Sequence, residues 1–301
     1  MPAEGQERVA VVTDPLSEIP LPNDVREERR RRALAGGVHT GNRDSRTRLR
    51  AWAIAGGRAA AWIAGFVLAW WLAHAVFSPA EYLFPSPGSV IQEFVRQGPF
   101  LLRHAAITFV EMLLGLVAGG ALGCATALAM ALWRPARHVV LPVLVASQAL
   151  PVFAIAPLLV IWLGFGLASK VAMATLIIYF PVASAFHDGL RRTEPHLLDL
   201  ARLYGANTAQ TVFLLKVPAA LPALASGLRV AAAIAPIGAV VGEWVGASAG
   251  LGFVMLQANA RVQTDVVFAA LAMLALAALL LRFVVEAATA RLIHWADEQP
   301  A

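Results

Sequence analysis

Glu111 and Glu243 are carboxylates set within or at the end of long apolar runs, and Arg229 and Arg282 are guanidinium groups in comparable settings. A charged side chain near the centre of a bilayer costs about 2.5–3.5 kcal/mol on insertion scales, so each needs a partner or a task. Glu111 lies about two turns into its run, given 3.6 residues per turn. It could line a path and meet a substrate amine, or it could form an ion pair that packs two helices. Glu243 could act as a gate or a partner contact, or simply end a helix in solvent. Arg229 and Arg282 suit snorkelling toward an interface. The seven histidines show no ligand spacing, and the single cysteine, Cys124, excludes a disulfide framework and a cysteine metal site. No Ser-His-Asp or paired-carboxylate arrangement can be argued, so neither catalytic residues, a metal site nor a cofactor is expected. A G-x-x-x-x-G-K-[ST] nucleotide loop is absent, because the two lysines, Lys170 and Lys216, follow Ser169 and Leu215.

The elements that must carry these residues are set by composition. Of 301 residues, 59% are hydrophobic and only 14% charged, with a mean hydropathy of +0.67. Soluble domains run at about 45–50% apolar and about 25% charged, so the expected solvent is hydrocarbon. Apolar runs reach Ala59–Phe77, Ala105–Trp133, Val139–Leu163, Val171–Phe186, Ala219–Val241 and Val266–Ala288. These predict an all-α integral membrane protein of about six transmembrane helices. Pro142, Pro151 and Pro157 break the third run, and broken helices must be buried in protein or face a wet cavity. Residues 1–50 read as a disordered basic tail rather than a signal peptide or a nucleic-acid arm. Residues 51–296 form the membrane domain, and 297–301 a short tail. Eleven of the 24 Lys+Arg fall between Arg8 and Arg58. Beyond that tail, seven basic residues lie outside the spans on its side, Arg291 after the last span among them, and four on the other, Lys170 among the four. This bias puts both termini in the cytoplasm.

A polar stretch, 190–218, separates the fourth and fifth runs. Thr193 is placed to cap a helix whose first turn holds Glu194 and Pro195. Leu197, Leu200, Ala201 and Tyr204 share one face of it, and Gly205 sits where a glycine ends a helix. Asn207 and Gln210 form a capping-box pattern for a second short helix, which Pro218 closes. The expected element is a cytoplasmic helix–turn–helix with an apolar face that needs a partner.

This stretch resembles the EAA loop of bacterial ABC importer permeases: Glu-Ala-Ala, three residues, Gly, nine residues, Ile-x-Leu-Pro. The matching positions are Asp199, Leu200, Ala201, Gly205, Leu215, Val217 and Pro218, with every spacing kept. Asp stands for Glu and Leu for the first Ala. The likeness runs over roughly residues 80–295. Pro85-Ser86-Pro87, Pro151 to Gly166, Gly227-Leu228-Arg229 and Gly250-Leu251-Gly252 resemble the nitrate/sulfonate/taurine branch, and Ala235–Gly238 with Glu243–Gly246 is similar to permeases for the pyrimidine precursor of thiamine. The resemblance implies the type I permease fold, a bacterial plasma-membrane location and a separate ATP-binding subunit docked on the 190–218 loop. It also implies an extracytoplasmic solute-binding protein, a second permease copy and no nucleic acid partner. The solute would be of the hydroxymethylpyrimidine type, or alternatively a sulfonate, taurine or nitrate. In such a protein Glu111 and Glu243 are candidates for the translocation path, Glu243 also for the binding-protein contact.

Two other classes make different demands. An ion-coupled secondary transporter should show paired repeats and midplane carboxylates, yet no internal repeat is visible and intramembrane acids are few. A membrane scaffold or enzyme leaves the helix–turn–helix without a purpose.

Overall fold

The computed structural model describes residues 43–148 and 151–293. The expected tails, 1–50 and 297–301, lie outside the described residues except for 43–50, which are not a disordered end but the first turns of a helix. The chain divides into two units, Met1–Leu68 and Ala69–Ala301. The described part of the first is the beginning of helix α1 (Arg43–Phe77), whose Trp62, Ile63, Phe66 and Leu68 are exposed.

The second unit holds the end of α1 and the helices that follow. These are α2 (Pro87–Arg96), α3 (Gly98–Leu132), α4 (Arg134–Ser147), α5 (Val152–Leu163), α6 (Leu167–Arg191), α7 (Pro195–Leu203), the single turn α8 (Thr208–Gln210), α9 (Val217–Gly246), α10 (Leu251–Ala260) and α11 (Thr264–Leu292). Among the described residues all regular structure is helical. Among the described residues four stretches are long and apolar enough to cross a membrane: Gly98–Leu132, Leu167–Arg191, Thr208–Gly246 and Thr264–Leu292. The third apolar run is not one straight span. Its two helices, α4 and α5, meet at a bend of 103°, a broken span or a re-entrant loop. Pro151 stands at that break, where proline has no N–H to give and disfavours a helical residue before it. The first run appears as the shorter apolar segment Ala61–Phe77.

The core of this unit is α6 held between α3 and α9, and small residues make that possible. Gly115, Gly119 and Gly123 repeat every four residues along one face of α3, against Ala174, Ile178 and Ala183 of α6. A Cβ on Gly119 would stand 2.8 Å from Ile178 Cγ2, and one on Gly238 of α9 would stand 2.7 Å from Ala174 Cα. Without a hydrophobic force between helices in lipid, such close approach supplies the packing energy. Met112, Leu116, Ile178, Val182, Ala231, Ala235 and Leu281 fill the space beside these contacts. Gly119→Leu should therefore overpack the α3–α6 seam by about 1–3 kcal/mol. The check is a lower unfolding temperature in detergent, with Leu280→Ala, at an exposed position, as a mild comparison.

Candidate functional site

The 190–218 segment folds as a helix, a tight turn and a return into the next span. Helix α7 starts one residue later than Thr193 suggested. Glu194 is its N-cap and Pro195 its first residue, while the Thr193 hydroxyl turns back to Leu190 O at 3.5 Å. It ends in a Schellman arrangement: Gly205 N–H donates to Arg202 O and Ala206 N–H to Ala201 O, each at 2.9 Å. Gly205 has φ +71°, the left-handed conformation that such an end requires. The capping box is present, with Gln210 N–H donating to Asn207 Oδ1 at 2.8 Å and Asn207 N–H to Gln210 Oε1 at 2.9 Å.

The second short helix is not closed off by Pro218. The chain passes from Thr208–Gln210 through a π-helical stretch, Thr211–Lys216, straight into α9. Pro218 is the second residue of α9, directly after the π stretch, so it admits the span instead of ending its predecessor. The seven matched positions divide accordingly. Asp199, Leu200 and Ala201 lie on α7, Gly205 is the turn, Leu215 is in the π stretch, and Val217 and Pro218 begin α9. Ala201 is buried, Asp199 pairs with Arg202 at 2.9 Å in an exposed position, and Leu203 and Tyr204 are 85% and 83% exposed. The result is a rigidly turned projection whose tip is apolar and uncovered.

The two carboxylates singled out from sequence come together in a second site. Glu111 on α3 is 0% exposed and Glu243 on α9 is 1% exposed, and their carboxyl groups lie within hydrogen-bonding reach of each other. Lys170 Nζ of α6 donates to Glu111 Oε1 at 2.8 Å. Gly242 leaves room for this, since a Cβ there would stand 3.1 Å from Lys170 Cα. Thr108, one turn before Glu111, donates to Glu243 Oε1 at 2.6 Å and accepts from Leu251 N–H at 2.8 Å. Gly252 N–H donates to Glu243 Oε2, and Gly250 N–H donates to His104 Nδ1 at 2.9 Å. Three side chains thus satisfy or neutralise the open N-terminus of α10, whose partial positive charge favours a carboxylate there. A Cβ on Gly250 would overlap the Glu243 carboxyl, and its φ of +115° is a second reason for glycine.

Several residues here depart from the sequence reading. Lys170 is not a loop residue: it is the fourth residue of α6, and buried. Glu243 is not a solvated helix end, because α10 folds back over it. His104 lies in the second turn of α3 and is buried. A lone lysine opening an apolar run was the available signal for Lys170, while Thr108 and His104 carried none. Arg229 Nε reaches Thr289 Oγ1 of α11 at 3.4 Å, and Arg282 is exposed. Among the described residues no group of three or more His, Cys, Asp or Glu could hold a metal ion.

Residues 113–295 match the family described as binding-protein-dependent transport system inner membrane component. A probable ABC transporter permease protein of Haemophilus influenzae is 48% identical over 73% of this chain and 90% of its own length. The formylaminopyrimidine transport permease protein ThiX of Halalkalibacterium halodurans is 36% identical over 66% and 80%. The riboflavin transport system permease protein RibX of Chloroflexus aurantiacus is 35% identical over 76% and 87%. Among solved structures, a chain of the inward-facing MetNI methionine ABC transporter superposes with a TM-score of 0.57 at 18% identity, over 65% of this chain and 97% of that one.

Proposed function

Since the chain belongs to the family of binding-protein-dependent transport system inner membrane components, and is the permease component of an ABC importer, we propose that it carries a small heteroaromatic solute of the hydroxymethylpyrimidine type and takes its energy through the α7–Gly205 projection. Membership makes the chain a transport component of the membrane and not itself a catalytic enzyme, and implies an ATPase subunit and a solute-binding protein as partners. An exposed apolar tip on a rigid turn is what supports the docking role. Leu203 and Tyr204 would bury large surfaces in an ATPase groove, while Asp199 and Arg202 would lie at its polar rim. A second permease copy, cytoplasmic termini and lipid around the exposed apolar faces of α3 and α11 complete the reading.

The substrate class rests on relatives. Two of the most similar named permeases have pyrimidine or riboflavin in their names, and both are more than 30% identical to this chain. Glu111 and Glu243 are closed off in the described state, so either reaches a solute in the path only after the Lys170–Glu111 pair opens. Uptake of labelled hydroxymethylpyrimidine, riboflavin, taurine and nitrate by cells carrying the complete transporter tests this class. The pyrimidine should accumulate with energy dependence, and taurine or nitrate should not compete at tenfold excess. Energised uptake of taurine or nitrate with none of the pyrimidine overturns the substrate assignment and leaves the permease assignment intact.

A further inference from the structure

The buried cluster has an unbalanced charge. Two carboxyl groups, Glu111 and Glu243, face one ammonium group, Lys170, with exposures of 0%, 1% and 7%. His104 supplies no balancing charge: its Nδ1 accepts the Gly250 N–H, so that nitrogen carries no proton and the ring is neutral. The N-terminus of α10 contributes a partial charge of about +0.5 at most. The clusters that adjoin these helices are apolar, Ala156 and Leu159 of α5 with Val241 and Val245 of α9, and Ala269 and Ala270 of α11 with Leu251 of α10, while Arg103, next to His104 in the chain, is exposed. A full surplus negative charge at this depth would be costly, and two adjacent carboxylates repel more strongly as the dielectric falls.

The donors are also one short. Glu111 Oε1 takes the Lys170 ammonium, Glu243 Oε1 takes the Thr108 hydroxyl, and Glu243 Oε2 takes the Gly252 N–H. Glu111 Oε2 is buried and takes no hydrogen bond. A buried acceptor without a donor carries its full desolvation penalty. Its neighbour is the Glu243 carboxyl, which becomes a donor if it carries a proton.

We infer that Glu111 and Glu243 hold one proton between them, making Glu111–Lys170–Glu243 a neutral proton-binding joint that ties α3, α6, α9 and the start of α10. The shared proton supplies the missing donor and removes the surplus charge in a single step, as in other close carboxyl pairs that cannot both ionise. The inference is independent of which solute is carried.

Infrared spectroscopy of the permease assembled with its ATPase subunits, in lipid nanodiscs at neutral pH, tests it. The wild type should show the carbonyl band of an un-ionised carboxylic acid. That band should be lost in Glu243→Gln and equally in Glu111→Gln, because each leaves a single carboxylate for Lys170. Glu243→Gln should also unfold close to the wild-type temperature, since its amide oxygen can keep the Gly252 N–H while its NH2 faces Glu111 and Thr108, whose hydroxyl can donate to His104 O instead, whereas Glu243→Ala should unfold well below it. A wild-type spectrum without a band that either glutamine variant removes overturns the inference. So does a Glu243→Gln protein as unstable as Glu243→Ala.

Discussion

Lys170→Met is expected to destabilise the permease by about 3–5 kcal/mol, the cost of stranding a buried ion whose partner has been removed. Methionine fills the same slot beside Gly242, so the loss comes from charge and not from a void. Glu111 would keep no cation within reach, while Thr108 and Gly252 are already committed to Glu243. Three helices meet at this point, so the failure should spread beyond one contact. Unfolding of the purified complex, followed by light scattering in detergent, should begin at a markedly lower temperature, with less protein recovered from membranes. The double variant Lys170→Met/Glu111→Gln separates this account from a packing effect. Removing both charges leaves an uncharged amide facing an apolar chain and should recover most of the lost stability, a strong positive coupling between neighbours. A double variant as unstable as the single one would place the cost in the shape of the lysine side chain.

The parts legible in the sequence are those fixed by local rules. Apolar run length marked four of the six expected spans, and the spacing from Asp199 to Pro218 marked the projection, because capping, helix ends and glycine turns are decided within a few residues. Asn207 with Gln210 and Gly205 after α7 were readable for that reason. What failed depended on distant pieces of chain. The bend between α4 and α5 follows from how two short helices pack, and three prolines say only that the run is weak. The continuity through Thr211–Lys216 was hidden because proline is equally acceptable just inside the start of a helix and just past its end. Glu111 and Glu243 stood out as intramembrane acids, yet nothing in the order of residues says that they meet. Their meeting needs α10 to fold back over α9 and α6 to slide between α3 and α9, which small residues permit without announcing a partner. Lys170, counted as a loop charge for topology, belongs to the same category, and its transfer to a helix enlarges the excess of basic residues on the tail's side of the spans.

Gly205→Val is expected to leave the permease folded in the membrane and to cut transport-coupled stimulation of the ATPase about tenfold. The cost is in the backbone alone. No atom lies within 4 Å of where a Cβ would stand, so valine meets no wall, but φ of +71° is a conformation that a β-branched residue scarcely adopts. Holding a side-chain-bearing residue there costs roughly 1–2 kcal/mol, and about 1.4 kcal/mol is a factor of ten in an equilibrium. The chain's way out is to release the two hydrogen bonds that close α7, from Gly205 to Arg202 and from Ala206 to Ala201, which unseats Leu203 and Tyr204 from their shared orientation. Gly205→Asn is the discriminating control, because asparagine tolerates the left-handed region and fits the open space. It should retain most of the stimulation, while valine loses it and alanine falls between. The measurement is ATP hydrolysis by the reconstituted transporter with and without loaded binding protein, together with copurification of the ATPase subunit. If valine matched glycine in both, the α7 turn would not be the element through which the ATPase drives this permease. If asparagine failed as badly as valine, the requirement would be for the absence of any side chain at the docked surface, and Gly205 itself would lie against the ATPase.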